Sequence, residues 1–124
     1  MTATWRVDEV DPQNMKVLAL LLADPNPIHF DPKAAVRARI ADVPVNQGPG
    51  TMALIYNLFE RTHPGRRVSR LKVRLLGNVF AGQTVTVTAT PGDGESFAVE
   101  VVTGDGTVAL RGHAELAEAS GEAA

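Results

Sequence analysis

One segment limits the fold more than any other: TMALIYNLFERT, residues 51–62. Its Met52, Ala53, Leu54, Ile55, Leu58 and Phe59 spread around nearly every face of a helix. A helix that is apolar all round has to be covered by other elements. The chain beyond it reads as strand. SRLKVRLL (69–76) sets Leu71, Val73 and Leu75 against Arg70, Lys72 and Arg74, and QTVTVTAT (83–90) alternates Val with Thr. SFAVEVVT (96–103) and TVALRGHAEL (107–116) are strand-like as well, and PGDG and GDG turns separate the last three runs. Period-two alternation between glycine turns is the pattern of antiparallel hairpins with one apolar and one solvated face. The implied class is α+β: an antiparallel β-sheet wrapped around a central buried α-helix.

Ahead of that helix, TWRV (4–7) reads as a short edge strand. Asp11-Pro12 suits a helix start, with a capping carboxylate and proline at the first helical position. Met15, Leu18, Leu21 and Leu22 continue at helical spacing, and Pro25 stops the helix before Asp24. Asp31-Pro32 opens a second helix, PKAAVRARI, and DVPVNQGPG (42–50) is a loop. With 124 residues the chain suits one domain, expected over 1–118, with 119–124 as a disordered tail. The absence of cysteine removes disulfide and thiolate chemistry, and a net charge of −2 argues against a general nucleic-acid or membrane-surface binder. MTATWRVDEVDP lacks a basic leader and VLALLLA is too short to span a bilayer, so the expected location is the cytoplasm.

The chemistry-bearing stretch is LADPNPIHFDP, residues 22–32. Asp24 and His29 lie five residues apart, and Pro25 and Pro27 restrict the backbone between them. Backbone fixed in advance lowers the entropy cost of holding two side chains in one geometry. A carboxylate and an imidazole suit proton transfer near neutral pH, and Asn26 can orient a neighbour. Asp-Pro and Asn-Pro are equally ordinary turn formers. NQGPGTM (46–52) then puts glycines directly before the apolar helix. Amides at a helix start carry partial positive charge and can stabilise a developing oxyanion. The same glycines also serve a turn that only lets the chain enter the core.

Together these pieces resemble the MaoC-like, or (R)-specific enoyl-CoA hydratase, family of hot-dog-fold proteins. The family motif is close to D-x-N-P-[IL]-H-x-D, and Asp24, Asn26, Pro27, Ile28, His29 and Asp31 match every specified position. VPVNQGPGTMALIYN and NVFAGQTVTV stand where the family has its loop, central helix and a later turn, so the resemblance spans roughly residues 12–117. It implies that Asp24 and His29 grip a water between them. On that resemblance Asp24 would be the general base, and His29 would protonate the α carbon or help orient the water. The reaction implied is reversible syn hydration of a trans-2-enoyl thioester. By the same resemblance Gly48 would offer its amide to the thioester oxygen and Asn26 would orient the catalytic pair; Gly50 and Thr51 are expected to join the substrate contacts. No cofactor or metal is implied beyond the coenzyme A thioester itself. The expected assembly is a homodimer, or a heterodimer with a related hot-dog subunit.

The chain departs from the family at Gln47 for histidine, Pro49 for methionine, Ala53 for serine and Gln83 for aspartate. Proline lacks an amide, so Gly48 and Gly50 are the nearby donors. These changes suggest an altered pocket or a heteromeric subgroup. Two rivals stand beside the hydratase reading. One is a non-catalytic or substrate-binding subunit of a heteromeric dehydratase. The other is a thioesterase, which usually carries an acid on the central helix, where this chain has only Glu60 near the far end. Arg66, Arg67, Arg70, Lys72 and Arg74 suit either coenzyme A phosphates or the solvated side of a strand. His63 reads as a helix-end residue; His113 sits in a strand pattern. The three histidines show no metal-ligand spacing.

Overall fold

A computed structural model describes residues 1–8, 10, 33 and 48–119. The expected helices over 12–23 and 32–40, the 24–31 motif, Gln47 and the tail beyond Ala119 lie outside the described residues. Strand β1 covers Ala3–Val7, helix α1 Gly48–Thr62, β2 Arg66–Leu75, β3 Val85–Pro91, β4 Ser96–Thr103 and β5 Val108–Glu118. The strands form one antiparallel sheet in the order β1-β3-β4-β5-β2. This is the expected hot-dog arrangement, with α1 packed against β1, β2, β3 and β4. TWRV is an edge strand, as its position suggests; it pairs with β3 from Ala3↔Ala89 to Val7↔Val85.

Alternation sorts the sheet into two faces. Val85, Val87 and Ala89 of β3, Phe97, Val99 and Val101 of β4, and Leu110, Ala114 and Leu116 of β5 are buried. Ile55, Leu58 and Phe59 of α1 join the same cluster, with Trp5, Val68, Leu71 and Val73 packed at its margin. Burying side chains of this size contributes about 1.5–3 kcal/mol each, so this cluster dominates the favourable side of folding. The opposite face carries Thr86 and Thr88, Glu100, Arg111, His113, Arg70, Lys72 and Arg74, none of them buried.

The helix differs from the expectation in one respect. It is buried along a stripe, Thr51, Ile55, Leu58 and Phe59, rather than all round. Ala53, Tyr56, Asn57 and Glu60 are exposed, Tyr56 at 47%. The spacing i, i+4, i+7, i+8 is that of an amphipathic helix lying on one sheet face. Its end is tied down twice. The Arg61 guanidinium stacks 4.4 Å from the Trp5 ring on β1. His63, just past the helix, makes edge contacts with Phe59 and Phe97 at 5.6 and 5.1 Å.

Candidate functional site

The first turn of α1 is Gly48-Pro49-Gly50-Thr51. In any α-helix the first four amides have no acceptor within the helix. Pro49 has no N–H, so Gly48 and Gly50 bring amides that the helix itself cannot satisfy. No acidic side chain stands in this turn to neutralise its partial positive charge. Thr51 is buried at 4% exposure, which puts a hydroxyl inside the apolar body at the same helix end. The turn is held in place from below, because Ile55 and Leu58, one and two turns on, are fully buried. Such an end can polarise a carbonyl oxygen on which negative charge develops.

Gly48, Gly50 and Thr51 are thus brought together at one helix start. Asp24, Asn26 and His29 lie outside the described residues. Among the departures, Gln83 has a visible role. Its side-chain oxygen accepts from the Phe80 amide at 2.9 Å, and its own backbone amide donates to the Phe80 carbonyl at 3.2 Å. Gly82 sits at φ +84°, a conformation that L side chains rarely adopt, and its amide donates to the Val10 carbonyl at 2.8 Å. The Gln83 carbonyl accepts from the Val10 amide in return at 2.9 Å, which closes the turn onto the segment after β1. Ala53 and Glu60 are exposed, so neither side chain enters the core beside Thr51. His113 lies on the far face of the sheet, in a shallow depression of about 300 Å³ with Thr88, Thr90, Glu100 and Arg111.

A model of the MaoC like domain matches residues 3–112. The chain belongs to the MaoC-like dehydratase family. The match spans most of the chain and runs through both the 24–31 motif and the α1 start. Solved structures agree on the hot-dog fold of this MaoC-like chain. It is similar to the (R)-hydratase from A. caviae involved in PHA biosynthesis, with TM-score 0.81 and 22% identity over 96% of this chain and 95% of that one. It is similar to the R-hydratase PhaJ1 from Pseudomonas aeruginosa, with TM-score 0.80 and 20% identity over 95% and 79%. It is also similar to the ChsH1-ChsH2 complex from Mycobacterium tuberculosis, with TM-score 0.76 and 19% identity over 96% of each chain. Comparison with curated proteins finds no match by sequence.

Sequence reasoning misses how the helix end is clamped. His63 comes four residues after Phe59, the spacing at which helical side chains meet, so a local signal exists for that contact. The Arg61–Trp5 stack joins residues far apart in the chain and leaves no local trace.

Proposed function

We propose that this MaoC-like chain is a hydro-lyase that adds water reversibly across a trans-2-enoyl-CoA. The observation that carries the reading is the full match of Asp24–Asp31 to the family motif, upstream of a helix whose first turn offers the Gly48 and Gly50 amides. In the hydration direction Asp24 takes a proton from water, and the oxygen forms a bond to the β carbon. Charge moves to the thioester oxygen, which the Gly48 amide holds. His29 returns a proton to the α carbon, or orients the water while the proton reaches that carbon. Asn26 orients the pair, and Gly50 and Thr51 contact the acyl group. The chemistry needs no cofactor beyond the coenzyme A thioester as substrate.

The active assembly in this reading is a dimer of two hot-dog units in the cytoplasm, of identical or related chains. The ChsH1-ChsH2 neighbour, a complex of two named subunits, supports the second form. Among the described residues no helix is long and apolar enough to cross a membrane. The test is loss of the conjugated enoyl absorbance on mixing the protein with trans-2-butenoyl-CoA, longer analogues and ring-bearing thioesters. Loss with one class identifies the acyl group. No loss with any, alone or with a co-expressed related subunit, favours the non-catalytic subunit.

A further inference from the structure

Strand β2 ends the sheet, and among the described residues nothing pairs with its outer edge. At ten residues it is roughly 33 Å long. Its core-facing side is incompletely covered: Leu71 and Val73 are half-buried, but Leu75 is 52% exposed and Leu76, just beyond, 51%. A long edge with an apolar margin is a template for another strand. The other face of β2 carries Arg70, Lys72 and Arg74 in succession, all exposed. Across the β5 ladder Arg74 stands opposite Arg111 and Lys72 opposite His113; of the three, only Arg70 faces an acid, Glu115. Glu100 on β4 engages Arg111 at 3.0 Å. Among the described residues no ion pair reaches Lys72 or Arg74.

This charge pattern biases what can pair there. Residues opposed in an antiparallel ladder point to the same face, so a second copy that keeps Leu71, Val73 and Leu75 together must oppose outer face to outer face. A two-fold centred on Leu71 opposes Arg70 to Lys72. One centred on Lys72 opposes Lys72 to itself and Arg70 to Arg74, and one centred on Val73 opposes Lys72 to Arg74. Each of these registers sets cation against cation, with Cβ atoms about 4.5–5.5 Å apart. Like charges at that separation are destabilising and select against the wrong partner.

We infer that the β2 edge pairs with a non-identical hot-dog subunit whose facing strand carries Asp or Glu opposite Arg70, Lys72 and Arg74. The inference rests on the dimeric reading above and names the partner's chemistry. The test uses the full chain and its charge-reversed copy, Arg70→Glu/Lys72→Glu/Arg74→Glu, each checked for fold by circular dichroism and mixed for sedimentation and native mass measurement. The mixed pair is expected to associate at least about tenfold more tightly than either chain with itself, an advantage that shrinks in high salt. A wild-type homodimer as tight as the mixed pair, or no association in the mixture, overturns the inference. Should the reversed copy fail to fold, Arg70→Gln/Lys72→Gln/Arg74→Gln is expected to self-associate more tightly than wild type, and no gain overturns it equally. The readout is mass rather than turnover. A chain that forms the mixed dimer but hydrates no thioester therefore contradicts the proposed activity alone.

Discussion

Gly112 on β5 faces Val73 on β2 at a distance that admits no side chain. A Cβ built on Gly112 would stand 2.6 Å from the Val73 Cα and closer still to the Lys72 carbonyl oxygen. Those are backbone atoms, which cannot swing aside as a side-chain tip would. Gly112→Ala must therefore push β5 and β2 apart at the centre of their ladder. The expected cost is about 2–3 kcal/mol, read as a lower urea midpoint with little change in slope. An unchanged midpoint would mean that the two strands do not approach so closely.

The Arg61–Trp5 stack links the end of α1 to the β1 edge. Arg61→Ala is expected to lower stability by about 0.5–1 kcal/mol. Trp5 is the only tryptophan in the chain, so its fluorescence reports the contact directly. Arg61→Ala should change that emission in the folded protein, whereas Arg67→Ala, an exposed arginine of β2, should not.

Asp105 organises the β4–β5 hairpin. It accepts hydrogen bonds from the Thr103 hydroxyl and, at 3.0 Å, from the Thr107 amide. These bonds, the Thr103 one foremost, hold its carboxyl below the usual carboxylate range. A folded-state value below the unfolded one stabilises the fold at neutral pH, and that stability is lost as the pH falls through the lowered value. Asp105→Asn keeps an acceptor oxygen but cannot titrate. It should flatten the acid limb of a stability-versus-pH curve by lowering stability in the neutral region, where the contribution of the ionised carboxylate is lost, while the acid end stays close to wild type. An acid limb as steep as before would assign the pH dependence to other carboxylates.

The strands are legible in the sequence because each obeys a local rule. SFAVEVVT (96–103) is β4 at the bounds its pattern predicts, since glycine turns flank it and alternate residues reach the core. The helix is legible in position but begins three residues earlier, at Gly48, because Gly and Pro look like loop while Pro in fact suits the first helical turn. Its all-round apolar pattern overstates its burial, because Ala53 counts as apolar and yet faces outward, and Met52 and Leu54 are only partly buried. Strand order, the β2 irregularity between Val68 and Arg70, and the Gly112 approach are not legible. They depend on which distant segment lies alongside, and no window of sequence contains both partners. At the site, local spacing alone favours an ordinary turn over a catalyst for Asp24 and His29. The family motif is what separates the two, and in the proposed reading the helix start at Gly48 supplies the amide for the substrate oxygen.

The catalytic reading stands or falls on Asp24 drawing the proton from a water added to an enoyl thioester. It is tested by the hydration rate of Asp24→Asn beside wild type, on whichever enoyl-CoA the wild-type chain consumes, with the fold verified by thermal unfolding. The expected rate is lower by about 10²–10⁴-fold or more, with the unfolding transition retained. A folded Asp24→Asn that turns over near the wild-type rate would contradict that role for Asp24.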